Sequence, residues 1–239
     1  MVKIVSRPTA AFEGGSDLPA WLQKIYASRQ VQNSSEMDQR LANLHSPALL
    51  SGMNAAASLL AKALEQQKGI LIVGDYDADG ATSTALACKA LRSMGAMNVH
   101  YLLPNRFKDG YGLSADIVRR AHQQYAPDII ITVDNGISSC EGIDVANTLG
   151  IQVLVTDHHL PGEQLPDAEV IINPNLADDP FPSKALAGVG VIFYVMLGLR
   201  QYLEQKNWFD QQGIVKPNMA DLLDLVALGT VADVVTLDQ

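Results

Sequence analysis

Short apolar runs alternate with helix-like stretches through the middle of this chain, and no other feature restricts its fold so tightly. The runs are Ile70–Val73, Val99–Leu103, Ile129–Val133 and Val153–Thr156, with a weaker fifth at Val170–Ile172. Between them lie the helical segments Ala81–Met94, Ser114–Gln124 and Ser139–Leu149. Strands that read ILIV, IIITV and VLVT are apolar on both faces, as strands of a helix-covered parallel sheet are. The alternation predicts an α/β fold: a doubly wound, mostly parallel five-stranded sheet with helices on both faces. After Pro182 the pattern becomes helical, at Ala187–Gln205 and Met219–Leu228, which predicts a helical C-terminal segment.

Upstream, residues 1–45 read as an N-terminal lead-in with one amphipathic helix, Leu18–Arg29, and residues 46–239 as the main domain. Ser46 is placed to cap a helix with Pro47 in its first turn, running to a stop at Gly69. The chain ends at Gln239 without a tail, so a fragment boundary is expected there.

Composition narrows the class. An apolar share of 48% over 239 residues excludes disorder and a staple-dependent mini-fold. Two cysteines, Cys88 and Cys140, cannot build a disulfide framework, so a reducing, cytoplasmic setting is expected. The first fifteen residues lack the apolar core of a secretory signal, and the apolar run Ala185–Leu199 is short and glycine-rich for a bilayer span; no membrane partner is expected. The formal charge is −9, from 17 Lys+Arg against 26 Asp+Glu. Taken alone, that charge argues against nucleic acid, because phosphate backbones attract basic surfaces.

The acids, however, are not scattered. In an open α/β sheet, ligands bind beyond the carboxyl ends of the strands. Three apolar runs release acids there: Asp75, Asp77 and Asp79 after the first, Asp134 after the third, and Asp157 with His158 and His159 after the fourth. One such carboxylate reads equally well as a helix cap. Several on one edge repel one another and need cations. Asp and His without thiolate suit Mn²⁺ or Mg²⁺ better than structural zinc. The Asp-x-Asp-x-Asp-Gly spacing also opens an EF-hand, but loop position twelve falls at Leu86, which cannot ligate, and a strand precedes it. A haloacid-dehalogenase-type phosphatase would use the first Asp as nucleophile but leave both histidines without a role.

Gly74 and Gly80 are expected to let the backbone turn sharply around the acidic loop. Ala81–Thr84 is expected to open a helix whose amides face an anion, with Thr82 and Ser83 reading equally as caps or phosphate contacts. The loop Pro104–Gly112 combines Arg106, Lys108, Tyr111 and two glycines, which suits phosphate and base contacts or an ordinary surface loop. Asp233 follows Gly229 in an apolar stretch, expected outside a helix end, where an acid must pair or ligate. His45, His100 and His122 lack acidic companions and read as surface or structural residues. Ala185–Leu199 reads as a buried helix in which Gly188 and Gly190 allow close backbone approach.

The segments GDYDADG (74–80), TVDNG (132–136), DHH (157–159) and GTVAD (229–233), in this order, resemble the four motifs of the DHH phosphoesterase superfamily. With PNRFKDGYGLS, VTDHHLPG and LAGVGV between them, the chain looks like the superfamily's RecJ branch of single-strand-specific exonucleases over about residues 70–238. Val73 stands where manganese pyrophosphatases and small nucleotide phosphodiesterases of the superfamily carry a histidine, which favours that branch. The resemblance implies two divalent ions, Mn²⁺ or Mg²⁺. It implies that Asp79, Asp134, His158 and Asp233 hold one ion, and Asp77 and Asp134 the other, with Asp75 completing that second site and Asp134 bridging. It implies a phosphate-facing His159 and an Asp157 that orients both imidazoles, so that His159, Asp134 and Asp157 are the catalytic set. Arg106, Lys108, Tyr111, Asn135 and His159 are the expected substrate contacts.

The implied activity is two-metal 5′→3′ exonuclease hydrolysis of single-stranded DNA in repair and recombination. Helicase or single-strand-binding partners and a monomeric state are further expectations. The branch's DHH-associated domain and oligonucleotide-binding barrel find no match here, so the chain would be an N-terminal catalytic lobe. A phosphodiesterase for short oligonucleotides or cyclic dinucleotides is the alternative enzyme, and a non-catalytic replication scaffold the alternative from another class.

Overall fold

The computed structural model describes residues 5, 12, 18–29, 31, 33–38, 40–105 and 109–237. The chain divides between His45 and Ser46 into two compact units. The first holds helix α1 (Ala20–Ser28), as the amphipathic pattern predicts, and 3-10 turns at Ser34–Met37 and Leu41–Asn43. The rings of Phe12 and Tyr26 stack there at 5.9 Å.

The second unit carries the sheet: β1 (Ile70–Gly74), β2 (Val99–Leu102), β3 (Ile129–Val133), β4 (Gln152–Thr156) and β5 (Val170–Ile172). Their order is β2-β1-β3-β4-β5, and each described pairing is parallel. Residue parity sends alternate side chains into two cores. Ile70, Ile72, Ile129 and Ile131 pack with residues of α2 (Met53–Glu65), α3 (Ala78–Ser93) and α6 (Gly188–Gln205). Leu71, Val73, Ile130 and Val153 pack with α4 (Ala115–Tyr125) and α5 (Cys140–Thr148). Each such side chain contributes about 1.5–3 kcal/mol on burial, so a strand apolar on both faces is stable only between two helical layers. The expected doubly wound fold is the one observed, with the sheet wholly rather than mostly parallel.

The differences lie at element ends. The helix expected from Ser46 to Gly69 is broken. Ser46 does cap a turn, its Oγ accepting from the Ala48 amide, but that turn is a 3-10 segment ending at Leu49. Gly52 then takes φ +80, a left-handed conformation that ends one segment before α2 begins. Helix α3 begins at Ala78, three residues before the expected start, because Asp77 caps it through the Gly80 amide at 2.9 Å. Thr82 and Ser83 therefore sit in the second turn, where Thr82 Oγ1 donates to the Ala78 and Asp79 carbonyls, so the capping falls to Asp77 and not to them. Gly74 and Gly80 are not left-handed. Gly80 instead lets Asp75 backbone approach to 2.5 Å of where a Cβ would stand.

The C-terminal segment is helical. A short helix, α7 (Trp208–Gln212), follows α6, and α8 spans Leu223–Asp233. Asp233 is thus the last residue of a helix, with Gly229 inside it, rather than beyond a helix end. No helix among the described residues is long and apolar enough to cross a membrane.

Candidate metal centre

The strand order fixes where a site can form. From β1 the chain moves outward to β2 on one side and returns to β3 on the other, so the crevice opens at the carboxyl ends of β1 and β3. Asp75 follows β1 directly and Asp134 follows β3 directly, and the two loops face each other across that switch point. Asp157 and the histidine pair follow β4, the next strand along.

Three overlapping groups of ligand atoms result, each lying within 4.8 Å of one another: Asp75–Asp77–Asp134, Asp79–His158–Asp233 and Asp134–His158–His159. The first two contain all six acids and imidazoles expected as metal ligands. Asp134 and His158 join them, with Asp134 Oδ1 3.1 Å from His158 Nε2, and Asp233 Oδ2 3.7 Å from the same nitrogen. Asp134 Oδ1 and His158 Nε2 are both buried, yet neither makes a hydrogen bond. Buried polar atoms that make no hydrogen bond call for another partner, and a cation would supply one. The donors are oxygen and imidazole nitrogen, as a hard divalent cation requires. The residues present therefore fit two such ions.

Electrostatics point the same way. Burial, reinforced by the Asp79 and Asp77 charges, pushes the Asp134 carboxyl up to about 10. Burial also raises Asp79, against the pull of the Val189 and Gly188 amides. Asp134 further adopts φ +61, a left-handed conformation unusual for a residue with a side chain. A carboxylate held buried beside like charges becomes stable once a cation joins them.

The site rests on α6. Gly188 N and Val189 N, the first two amides of that helix, donate to Asp79 at 2.6 and 2.8 Å, a role the sequence reading missed. A Cβ on Gly188 would stand 2.5 Å from Asp134 Oδ1, so the close approach expected there is real.

Asp157 is fully buried. Its Oδ1 accepts from the amides of His158 and His159 at 2.7 and 3.1 Å, and its Oδ2 from Ile137 N at 2.9 Å. Oδ1 also lies 2.7 Å from His159 Nδ1. Burial alone would raise this carboxyl, but the hydrogen bonds from His159 and Ile137 outweigh it and hold it low. The same bond raises the His159 imidazole. Asp157 thus orients one imidazole directly, whereas it holds His158 only through the main chain.

Among the expected substrate contacts, Tyr111 is half-exposed at the mouth of the site. Its hydroxyl lies 3.1 Å from His159 Nδ1 and donates to the Asp134 carbonyl at 3.4 Å. Arg106 and Lys108 lie outside the described residues. Among the described residues beside them, Asp109 takes a bidentate pair from Arg120, both distances 3.0 Å, and accepts from Asn105 N. Asn135 is buried; its Nδ2 donates to the carbonyls of Val73 and Val133 at 3.0 and 2.8 Å, which ties the end of β3 to β1, while its Oδ1 makes no hydrogen bond. His100 and His122 are exposed, as expected.

Residues 69–230 match the model of the DHH family, N-terminal domain. The chain belongs to that family. It is 57% identical over 232 residues to the single-stranded-DNA-specific exonuclease RecJ of Dickeya dadantii, covering 97% of this chain and 40% of that protein. It is 56% identical to the Escherichia coli protein of the same name, covering 93% of this chain and 38% of that one. The chain therefore spans about two fifths of the length of these relatives. Among solved structures it is similar to exonuclease RecJ bound to manganese, with a TM-score of 0.65 and 37% identity, covering 78% of this chain and 44% of that one. It is likewise similar to RecJ of Thermus thermophilus in complex with Mn²⁺, with a TM-score of 0.66 and 34% identity, covering 87% of this chain and 28% of that one.

Proposed function

We propose that residues 46–239 are the catalytic domain of a single-strand-specific DNA exonuclease that digests from the 5′ end by two-metal phosphodiester hydrolysis. The observation that carries this reading is the buried pair Asp134 Oδ1 and His158 Nε2, 3.1 Å apart and without hydrogen bonds, where two ligand groups meet. The names of the RecJ relatives and the manganese in their structures supply the substrate class and the metal.

Asp79, His158 and Asp233 would hold one Mn²⁺ or Mg²⁺ ion, Asp75 and Asp77 the other, and Asp134 both. Paired divalent ions supply an acidified water and neutralise the attacking and leaving oxygens. The chain's own contribution is orientation and charge. Asp157 fixes His159 by its Nδ1 edge, and the Tyr111 hydroxyl lies 3.4 Å from its Nε2. The raised imidazole keeps its proton more readily, which gives a donor for a non-bridging phosphate oxygen. Tyr111 walls the ring edge-on, with the rings 5.7 Å apart.

The test is Mn²⁺-dependent release of mononucleotides from 5′-labelled single strands by the full-length protein. Release that is lost in both Asp134→Ala and His159→Ala supports the reading. Absence of release, or release that survives both substitutions, refutes it. Faster turnover of dinucleotides than of long strands would favour the oligonucleotide phosphodiesterase instead.

A further inference from the structure

The loop that carries the two histidines has no ladder or helix to hold its peptide groups, yet those groups are held on both sides. On the amide side Asp157 binds the N–H groups of His158 and His159. On the carbonyl side stand two asparagines from the turn after β5. Asn175 Nδ2 donates to the His158 carbonyl at 2.5 Å, and Asn173 Nδ2 to the His159 carbonyl at 2.9 Å. Asn173 Oδ1 in turn accepts the Asn175 amide at 2.8 Å, which locks the two asparagines together. The turn is tethered from outside as well: Lys184 Nζ donates to the carbonyls of Pro174 and Asp179 at 2.6 and 2.7 Å. Asn173 is fully buried.

We propose that Asn173 and Asn175 are positioning residues, each setting one imidazole through the carbonyl of the same residue. Asn175 acts on His158 and hence on cation affinity. Asn173 acts on His159 and hence on the phosphate-facing ring. The division follows from connectivity, because fixing a residue's amide and carbonyl leaves its Cβ direction determined and the side chain only its own torsions. Without the carbonyl partner, the His158 peptide gains freedom and its Nε2 no longer stays beside Asp134. Outer residues that orient metal ligands typically change affinity or rate by about 10–100-fold. The proposal rests on the metal reading above.

The experiment is titration of Mn²⁺ into the chain by calorimetry, comparing the parent with Asn175→Ala and Asn175→Leu, the latter close to asparagine in shape but without a donor. Asn147→Ala serves as control, since Asn147 makes a similar amide-to-carbonyl bond, to Asp167, on the exposed surface. Both Asn175 variants are expected to bind Mn²⁺ about tenfold more weakly with little change in thermal midpoint, and the control to bind as the parent does. In the full-length protein, Asn173→Ala is expected to lower kcat about tenfold at saturating Mn²⁺ with KM for DNA little changed. Should that buried variant unfold, the two Asn175 variants decide alone. Parent-like Mn²⁺ affinity in both Asn175 variants, or equal weakening in Asn147→Ala, overturns the clamp while leaving the metal reading intact. A parent chain that binds no Mn²⁺ overturns the metal reading and the clamp with it.

Discussion

Replacing Asp134 by asparagine should make the cation-free chain more stable, and increasingly so as the pH rises. Burial, with the Asp79 and Asp77 charges, pushes the folded carboxyl up to about 10 from an ordinary value of 3.8. Because the folded value is the raised one, the native state keeps a proton that the unfolded chain gives up. The stability associated with this group is fully present below the ordinary value and is lost as the pH climbs toward the folded value. The loss runs at about 1.4 kcal/mol per pH unit, or roughly 4 kcal/mol by pH 7. Asparagine has the same shape, no titration, and a better tolerance of the left-handed backbone at this position.

Urea unfolding in a chelator at several pH values between about 5 and 8 reads this directly. The difference in unfolding free energy, variant minus parent, should widen by about 1.4 kcal/mol per pH unit. Any loss of packing or hydrogen bonding in the variant shifts all points equally and leaves that slope alone. Saturating Mn²⁺ should reverse the order, because only the parent offers an anion at the centre of the site. Parallel curves for parent and variant in the absence of metal would refute the argument that Asp134 is held against its charge.

Asp157 should behave in the opposite sense. Its folded value is held low, so Asp157→Asn should destabilise the chain above the ordinary carboxylate value, with the difference shrinking as the pH falls through that range, measured by the same unfolding series. Asn135→Ala removes one amide-to-carbonyl bond to β1 and one to the end of β3, and should lower stability by about 2 kcal/mol, read as a reduced urea midpoint. Gly188→Ala should weaken Mn²⁺ binding about tenfold or more in calorimetry and reduce stability by about 1–3 kcal/mol, since the new Cβ stands 2.5 Å from Asp134 Oδ1.

Much of this was legible in the residues because local composition and long-range architecture agree. A strand such as IIITV is apolar at four of its five positions, on both faces, so its place between two layers follows from the side chains alone. The acids at strand ends were legible for the same reason, since the fold class dictates where strand ends meet. The asparagines were not. Asn173-Pro174-Asn175 reads as an ordinary turn after a strand, and its partners, two backbone carbonyls fourteen and seventeen residues upstream, carry no side-chain signature. The structural bond of Asn135 was hidden for a related reason: nothing beside a metal-binding acid shows that its amide reaches a β1 carbonyl until the register of β1 and β3 is known. The early start of α3 was hidden because the residue that caps it, Asp77, also had a reading as a metal ligand.

That last conflict dissolves on the chemistry of the carboxylate. An ionised carboxyl offers about four lone-pair positions, and a helix amide takes one. Asp77 accepts from Gly80 N and still belongs to a ligand group with Asp75 and Asp134. Asp79 accepts the two opening amides of α6 and still belongs to a group with His158 and Asp233. Cap and ligand are therefore one arrangement. The helix ends orient each carboxylate and supply partial positive charge, and the remaining lone pairs converge on the crevice. Two divalent ions there would offset four of the nine net negative charges. Under the proposed function, the acidity that argues against a phosphate-bearing substrate would become the means of receiving one.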